Sequence, residues 1–541
     1  MEPAEAGAMA GANAGRWRAM LTVAVGLVGA VAAIWALWTL EAGRDGLVFE
    51  DLEIDGTPAR LITPAAGGPA PVVVIAHGFA GAKELMEPFA VTLARAGYVT
   101  LSFDFEGHGG HPAPLPGRIL GPGGAADRLI KQLGAMVAEA RRLPGTTGEV
   151  ALLGHSMATD LIAKAVRDGL EVEATVAVSL FSPDVTATSP RNMLIVVGGY
   201  ERRLTEEALR VTALTAGEPA EEDVTYGSFA EGTARRAVFA EGVEHVGVLF
   251  DPAGLRAAAG WLDEAFGRDG AAGIAPDARG PAIATLFAGL MALGWALAAR
   301  LPAREGGVTR GATSGPTSGA GARPRLLLML AGGPMVLAPL LAVLAPSGFM
   351  PLILGDYLAI HFFCYGALTA AGLVWLSKRG LRLPVRAWPG GRLALSGVLA
   401  GAAIIAIFAV TLDRYAFGFL PGADRLVLMP FLALALLPWF LADEWLTRGL
   451  PEGSDGRGRR LWAYALTKLC FVLSLGIAVA LDPERLFFLL IVAPVILLFF
   501  TVYGLVSQRL AAVSGSPVPA AIALSLALSW SIAASFPLIA S

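Results

Sequence analysis

The chain contains long apolar runs on both sides of one extended stretch of mixed polarity. The first apolar run covers residues 19–40, and eight more follow residue 277. Each run is close to the roughly 20 residues that an α-helix needs to cross the hydrocarbon core of a bilayer. The later runs are 281–299, 326–346, 352–377, 393–412, 426–442, 461–481, 486–506 and 518–539. The pattern therefore predicts nine membrane-spanning helices.

Residues 43–277 have a different pattern, in which short continuous apolar runs alternate with amphipathic stretches of helical periodicity. Short apolar runs are typical of strands that are buried on both faces of a parallel sheet, and the amphipathic stretches predict helices that cover it. The Asp55-Gly56 pair predicts a β-hairpin near the beginning of the domain. The predicted strands are 71–76, 98–104, 149–154, 174–180, 192–198 and 235–240, and the predicted helices are 83–97, 125–143, 205–214 and 252–267. We therefore predict an α/β domain with a doubly wound, mostly parallel sheet, fused to an all-α helical bundle.

The composition agrees with this division. Hydrophobic residues make up 55% of the 541 residues and charged residues only 16%, which excludes an ordinary soluble protein. The net charge of -4 gives no indication of a nucleic-acid partner, and the predicted partner is the lipid bilayer. Cys364 and Cys470 lie in apolar runs and are predicted to be buried thiols and not a disulfide.

Basic residues predict the orientation of the chain in the membrane. With nine spans, 17 Lys and Arg residues lie in the loops of one side, whereas the short loops of the other side hold only Arg414, Arg425 and Arg485. Lys and Arg accumulate on the cytoplasmic side. We therefore predict a multi-pass inner-membrane protein with a cytoplasmic tail (1–18), an uncleaved anchor (19–40) and a periplasmic or extracellular α/β domain (43–277). The remaining residues, 281–541, form the predicted eight-helix membrane domain, with a flexible loop at 300–325.

The candidate chemistry begins at residues 154–160, which read GHSMATD between a predicted strand and a helix. Gly154 and Ala158 are small enough to allow a sharp turn that lifts the Ser156 hydroxyl above the sheet. The stretch resembles the nucleophile turn of the α/β-hydrolase superfamily, particularly its serine aminopeptidase-like and dienelactone hydrolase-like branches. It departs from the family pattern at Ala158, where a second glycine is usual. The resemblance implies that Ser156 is a catalytic nucleophile.

Two further segments resemble loops of the same superfamily. Residues 77–81 read HGFAG after the first long predicted strand, where the family places one donor of its oxyanion hole. By resemblance, the two donors are the backbone N–H groups of Phe79 and Met157, which would stabilise the negative charge of a tetrahedral intermediate. Residues 103–109, FDFEGHG, resemble the family's loop after the next strand.

A serine nucleophile needs a base, and the base needs a carboxylate that orients it. In the superfamily the order along the chain is serine, acid, histidine. His245 is the only histidine of the predicted domain after Ser156, and it precedes the last helix, where the family's base lies. For the carboxylate that orients the base, the sequence offers two candidates. Glu201 has the position that the resemblance implies, and Asp184, one strand earlier, is the alternative.

These residues predict a membrane-bound serine hydrolase that cleaves an ester, thioester or amide through an acyl-enzyme intermediate. No metal or organic cofactor is predicted. Only residues 181–191 separate two strands between which the superfamily inserts its lids, so we expect an open site that favours an exposed or bulky acyl substrate. The alternative function is a non-catalytic transport or scaffold protein whose hydrolase-like domain only binds.

Ionisable residues within predicted spans are a second source of candidate sites, because burying charge in a bilayer is costly. Asp356, His361 and Lys468 are such residues, and for each a structural role in the helical bundle is the favoured interpretation. Residues 443–449, DEWLTRG, resemble the Glu-Glu-x-x-x-Arg-Gly signature of CAAX-type intramembrane proteases. That chemistry also requires histidines on later helices, and the last histidine of the chain is His361.

Overall fold

The structure, a computed structural model, describes residues 3–116, 124–217, 219–301, 322–346, 348–379, 390–448, 456–486 and 488–540. The chain forms two compact units. The sheet unit consists of Ala32–Phe287, Ala409–Gly422 and Ala534–Ser541, and the helical unit of Met1–Val31, Ala288–Phe408 and Ala423–Ala533. The sheet unit thus includes two short segments from the carboxyl-terminal half of the chain, in addition to the stretch that contains the predicted α/β domain.

An eight-stranded sheet forms the centre of the sheet unit. Its strands are β1 (Leu47–Ile54), β2 (Thr57–Pro64), β3 (Ala70–Ala76), β4 (Val99–Phe103), β5 (Thr146–His155), β6 (Ala174–Val178), β7 (Met193–Gly198) and β8 (Arg235–Ala240). Their order across the sheet is β1-β2-β4-β3-β5-β6-β7-β8. The β1–β2 and β2–β4 pairs are antiparallel, and the remaining pairs are parallel. The prediction of a mostly parallel, doubly wound sheet is confirmed.

The first two strands are joined by the predicted hairpin turn. Asp55 and Gly56 have φ values of 49° and 77°, and Ile54 pairs with Thr57 across the turn. Positive φ at both central residues is the signature of a type I′ turn, whose twist matches that of the strands that it joins. The Asp-Gly pair therefore determines where β1 ends and β2 begins.

Helices cover both faces of the sheet, and every residue of β3, β4, β6 and β7 is buried. On one face, Val73 and Ile75 of β3 are fully buried in a cluster that includes Phe89 and Trp261. The opposite face, with Ile195 of β7 among its residues, contributes to a second buried cluster. The helices between the strands and after them are α2 (Glu87–Arg95), α3 (Ala125–Ala140), α4 (Met157–Arg167), α5 (Arg202–Ala216) and α6 (Pro252–Phe266). The first helix of the chain, α1 (Pro3–Ala42), precedes the sheet. The predicted helix 83–97 begins with a separate 3₁₀ turn, Lys83–Met86, which precedes α2.

The helical unit is built from long apolar helices. They are α7 (Gly280–Leu297), α8 (Ala322–Leu344), α9 (Gly355–Lys378), α10 (Gly391–Leu412), α12 (Met429–Arg448), α13 (Gly456–Leu481), α15 (Leu489–Ser514) and α16 (Val518–Ser535), with short helices α11 (Ala423–Leu426) and α14 (Pro483–Leu486). In the part of the chain that the structure describes, eight helices are long and apolar enough to cross a membrane. These eight correspond to eight of the nine predicted spans.

Three predictions lie wholly or partly outside the described residues. The predicted span 486–506 falls on α15, but residue 487 is not described and neither are the side chains of 490–495. Most of the predicted flexible loop 300–325 lies in the undescribed range 302–321, and residues 1–2 of the predicted tail are also outside. At the other end of the chain, the predicted span 518–539 is longer than α16, which ends at Ser535.

Glu87, the first residue of α2, has a buried carboxylate that pairs with three arginines. Glu87 is 1% exposed and lies 3.3 Å from Arg44 Nη1, 3.4 Å from Arg60 Nη1 and 3.4 Å from Arg279 Nη1. Arg44 lies two residues after the end of α1, and Arg279 directly precedes α7. A buried carboxylate is tolerated only when it is paired. Glu87 therefore binds the segment after α1 and the segment before α7 to the start of α2.

Candidate active site

Ser156 lies at the tip of the turn between β5 and α4. Its backbone has φ 52° and ψ −115°, a conformation that is strained for a residue with a Cβ atom. The turn is narrow, since a Cβ atom on Gly154 would lie 3.2 Å from the methyl carbon of Ala158. Glycine at position 154 therefore provides the space that Ala158 occupies. This explains how the turn forms without the second glycine that the resemblance leads one to expect.

The structure brings Ser156, His245 and Glu201 together at the carboxyl edge of the sheet. His245 Nε2 lies 2.9 Å from Ser156 Oγ, and His245 Nδ1 lies 2.5 Å from Glu201 Oε1. Ser156, Glu201 and His245 follow β5, β7 and β8, respectively. His245 is 44 residues from Glu201 and 89 residues from Ser156 along the chain. Because parallel strands end at one edge of a sheet, distant segments can deliver side chains to one place. The arrangement forms a hydrogen-bonded relay from hydroxyl to carboxylate.

Both carboxylate oxygens of Glu201 accept hydrogen bonds. Its Oε2 atom accepts hydrogen bonds from Ser179 Oγ at 2.7 Å and from the Gly198 N–H at 2.9 Å. Burial alone would raise the pKa of Glu201, but the hydrogen bonds from His245 and Ser179 lower it below its usual value. Glu201 is therefore ionised at neutral pH, and a carboxylate of this kind keeps the proton of the neighbouring imidazole on Nδ1.

Sequence reasoning missed the contribution of Ser179. This residue directly follows β6 and has φ 55°, so its hydroxyl reaches Glu201 from a strained backbone position. A hydroxyl residue at the carboxyl end of the strand next to β7 was the only available signal. That signal is weak, because serine is common wherever strands end.

Asp184, the alternative acid, lies in a different environment. Its carboxylate pairs with Arg167 Nη1 at 2.7 Å, and the Arg167 side chain is half exposed. Asp251 caps the N-terminus of α6 by accepting hydrogen bonds from Ala253 and Gly254. Of Glu201, Asp184 and Asp251, it is Glu201 that contacts His245.

His155 contacts both the backbone and the ring of His245. It is 4% exposed, its Nε2–H donates to the His245 carbonyl oxygen at 3.0 Å, and the two ring centroids are 4.8 Å apart. Burial, together with the proximity of His245, lowers the pKa of His155 to about 3. His155 is therefore neutral at physiological pH and holds the backbone of His245 without adding a competing charge.

The loop that contains Phe79 passes directly beside the turn that contains Ser156. A Cβ atom on Gly78 would lie 3.1 Å from Ser156 Cβ and 2.9 Å from His155 Nδ1. Ala80 has φ 55°, and the Gly81 N–H closes the loop on the Gly78 carbonyl at 3.0 Å. Met157, on the other side of Ser156, is the first residue of α4, so its N–H has no acceptor within the helix. Both predicted donor residues are thus neighbours of the Ser156 turn.

A buried ion pair supports the same loop. Asp104, which is fully buried, accepts hydrogen bonds from the Lys83 backbone at 2.8 Å, from Lys83 Nζ at 2.9 Å and from the Gly110 N–H at 3.0 Å. Burial would raise the pKa of Asp104, but Lys83 and the surrounding donors hold it below its usual value. The ionised pair fixes the end of the 77–83 loop to the loop that follows β4.

The site is accessible from solvent. The His245 side chain is 34% exposed, whereas Glu201 is 8% exposed. Three exposed apolar residues belong to the segments that form the site, and we call them the apolar rim: Phe181, Tyr200 and Val246, which are 69%, 71% and 43% exposed. Tyr200 directly precedes Glu201, and Val246 directly follows His245. Within the described residues, no group of three or more His, Cys, Asp or Glu side chains is arranged to hold a metal ion.

Two ionisable residues of the predicted spans, His361 and Lys468, have polar partners in the structure. His361 lies between Tyr357 Oη at 2.8 Å and Ser474 Oγ at 3.1 Å. Lys468 forms a buried ion pair with Asp443. These contacts are those of a packed helical bundle, as the favoured interpretation expects.

The two carboxylates of the segment that resembles the CAAX-type signature contact side chains of other helices in the bundle. Asp443 pairs with Lys468, and Glu444 accepts a hydrogen bond from Ser507. Asp356 accepts hydrogen bonds from the backbone of Gly348 and Tyr357. The carboxylates of this region are thus bound to neighbouring helices and loops.

Comparison with known proteins agrees with the fold of the sheet unit. Residues 67–206 match the family model described as "Serine aminopeptidase, S33", a range that includes Ser156 and Glu201 and ends before His245. No curated protein has a matching sequence. The predicted resemblance to α/β-hydrolases is confirmed for the fold of this domain.

Solved structures with a similar fold have low sequence identity to this chain. Est1E from Butyrivibrio proteoclasticus, solved with ferulic acid, is 18% identical, with 40% of this chain and 100% of that one covered and a TM-score of 0.30. An esterase from the archaeon Pyrobaculum calidifontis is 16% identical over 45% and 93% of the two chains, with a TM-score of 0.31. Dienelactone hydrolase from Anabaena variabilis is 19% identical over 41% and 97%, with a TM-score of 0.27.

Proposed function

We propose that the protein is a membrane-bound serine hydrolase that cleaves an ester, thioester or amide through an acyl-enzyme intermediate. The observation that carries the proposal is the continuous relay from Ser156 Oγ through both nitrogens of His245 to Glu201 Oε1, with distances of 2.9 and 2.5 Å. A serine hydroxyl is a weak nucleophile unless a neighbouring base takes its proton. The relay supplies that base and holds it in the required tautomer.

In the proposed reaction, Ser156 Oγ attacks the substrate carbonyl carbon while its proton moves to His245 Nε2. The new imidazolium is stabilised by the ionised Glu201, and the negative charge on the carbonyl oxygen is stabilised by the N–H groups of Phe79 and Met157. His245 then gives its proton to the leaving group, which departs as an alcohol, thiol or amine. Water attacks the acyl-enzyme with the same assistance and releases a carboxylic acid, so that Ser156 regains its proton.

The apolar rim supports a substrate with a bulky apolar acyl group. Large exposed aromatic side chains beside a reactive centre gain free energy when an apolar ligand covers them. Phe181 and Tyr200 are about 70% exposed in the structure. The 181–191 connection is short, which supports an open site. We therefore assign the rim to the acyl part of the substrate.

The proposed location is the inner membrane, with the amino terminus in the cytoplasm and the hydrolase domain outside. The unequal distribution of basic residues supports this orientation. A single cysteine at the exposed Glu50, in a protein that carries Cys364→Ala and Cys470→Ala, is the appropriate reporter. In spheroplasts, which lack an outer membrane, a membrane-impermeant maleimide is expected to label Glu50→Cys. Labelling only after permeabilisation of the cytoplasmic membrane would contradict the orientation.

Hydrolysis of a short p-nitrophenyl ester by the purified full chain tests the activity. Ser156→Ala and His245→Ala are each expected to abolish turnover while the thermal midpoint stays close to that of the wild type. Ser182→Ala is the matched control, because Ser182 is a buried serine that donates to Asp160 and not to the relay. Turnover that persists in Ser156→Ala would refute the assignment, and the absence of turnover with any acyl substrate would favour a binding domain.

A further inference from the structure

The last residues of the chain pair with a loop of the hydrolase domain. The Leu538 N–H donates to the Gly107 carbonyl oxygen at 2.8 Å, the Leu115 N–H donates to the Leu538 carbonyl oxygen at 2.9 Å, and the Ala540 N–H donates to the Leu115 carbonyl oxygen at 2.7 Å. The residue pair Leu115 and Ile539 forms a parallel β-bridge. The chain after α16 thus adds a short strand to the loop that follows β4.

This pairing is closely packed. Leu115 and Leu538 are 4% and 5% exposed. Gly107 has φ 75°, and a Cβ atom there would lie 2.6 Å from the Leu538 carbonyl oxygen. Glycine is therefore required at position 107 both for its backbone conformation and for the close approach of the carboxyl-terminal residues.

Two hydrogen bonds connect the same loop to the proposed oxyanion loop. The Phe105 N–H donates to His77 Nε2 at 3.0 Å, and His77 Nδ1–H donates to the Gly78 carbonyl oxygen at 2.7 Å. Burial lowers the pKa of His77, so it stays neutral and keeps one donor and one acceptor. The Gly78 carbonyl belongs to the peptide group whose N–H is that of Phe79.

Aromatic contacts link the same two loops. The ring of His108, the residue after Gly107, lies edge-on to the Phe79 ring with 5.8 Å between centroids, and it lies 5.4 Å from the His77 ring. A displacement of the 105–115 loop therefore moves groups that contact Phe79 directly.

We propose that the backbone of Leu538 and Ala540 positions the oxyanion loop of the hydrolase site. This inference rests on the proposed function. These residues do not contact the substrate, and they act through the 105–115 loop, His77 and the Gly78–Phe79 peptide. The active site is then complete only when residues 538–540 are paired with the 105–115 loop. Since the donor geometry of an oxyanion hole governs kcat and not substrate binding, the effect of the segment falls on kcat.

The test compares full-length protein with a variant that ends at Pro537 and with Ala540→Pro, which removes one of the three hydrogen bonds. Active sites are titrated through the burst of p-nitrophenol, so that kcat refers to correctly folded protein. Truncation is expected to lower kcat about 10- to 100-fold, which is the range for a displaced oxyanion donor, with KM changed less than about twofold. Ala540→Pro is expected to lower kcat about threefold, since it loses a single bond at the end of the segment.

Ile539→Pro is the matched control, because the Ile539 N–H makes none of the three hydrogen bonds. It is expected to keep the wild-type kcat. A merely structural role would lower the titrated fraction of active sites in the truncated protein and leave kcat per site unchanged, which would overturn the inference. If the truncated protein does not fold, equal kcat values per site for Ala540→Pro and Ile539→Pro would overturn it as well. A wild-type protein without any burst or turnover would instead refute the proposed function, and with it the premise of this inference.

Discussion

The hydrogen bond between Ser179 and Glu201 allows a quantitative test of the relay. Ser179→Ala removes the donor at 2.7 Å from Glu201 Oε2, while the Gly198 N–H at 2.9 Å and His245 at 2.5 Å from Oε1 remain. A hydrogen bond to a charged group contributes about 1.5–3 kcal/mol. If the whole contribution appeared in the transition state, kcat would fall about 10- to 150-fold.

The expected loss is at the lower end of that range. The carboxylate accepts the bond before the reaction as well as during it, so only the increase that accompanies imidazolium formation affects the barrier. We expect kcat for a p-nitrophenyl ester to fall about tenfold, with little change in KM. Ser179→Gly should lose the same activity. Its thermal stability should be higher than that of Ser179→Ala, because glycine relieves the φ of 55° at a saving of about 1 kcal/mol.

Steady-state kinetics per titrated active site, with thermal midpoints measured in parallel, provide the assay. Ser182→Ala controls for the loss of a nearby buried hydroxyl that donates to a carboxylate outside the relay, and it should retain the wild-type kcat. If Ser179→Ala also retained it, Glu201 would not depend on this donor and the account of the carboxylate would be refuted.

Three further predictions concern the acid, His155 and the rim. Glu201→Gln should reduce kcat by about 10³- to 10⁴-fold and Asp184→Asn by less than about twofold in the same ester assay, and the reverse order would reassign the acid. The pKa of His155 is about 3 in the fold, so between its unfolded value near 6.5 and that pKa the unfolded chain binds a proton that the folded chain does not. Because of this group, the free energy of unfolding should fall by up to about 1.4 kcal/mol per pH unit below pH 6.5. The thermal midpoint of His155→Gln should therefore decline less steeply with acidification than that of the wild type. Equal slopes for the two proteins would exclude the effect. Exchanging Phe181 and Tyr200 for serine should raise KM for long-chain p-nitrophenyl esters several-fold and leave acetate hydrolysis unchanged, whereas an equal effect on both esters would remove the rim from acyl recognition.

Much of the candidate site could be predicted because its signals are local. A small residue on each side of Ser156, between a buried strand and a helix, specifies a turn whose geometry depends on a few neighbouring residues. His245 could be chosen because it is the only histidine of the domain after Ser156. The fold could be predicted for a similar reason, since continuous apolar runs between amphipathic segments have few solutions other than a parallel sheet.

The remainder depends on contacts between distant segments, for which the sequence has no periodic signal. Ser179 becomes relevant only when β6 and β7 are adjacent and in register. Lys468 lies in the predicted span 461–481, whereas Asp443 directly follows the predicted span 426–442, and their pairing follows from the packing of α12 against α13. Residues 536–540 are as apolar as the helix before them, so hydropathy alone extends the span to 539 and does not reveal a strand that pairs with Leu115.

The central claim is that Ser156 is made nucleophilic by His245. Mass spectrometry of the full-length protein, quenched during hydrolysis of a slowly deacylated p-nitrophenyl ester, tests it most directly. The account predicts that the peptide containing Ser156 gains the mass of the acyl group, and that this adduct is absent from both Ser156→Ala and His245→Ala. Acylation of another residue with Ser156 unmodified, or equal acylation in the His245→Ala protein, would contradict the claim.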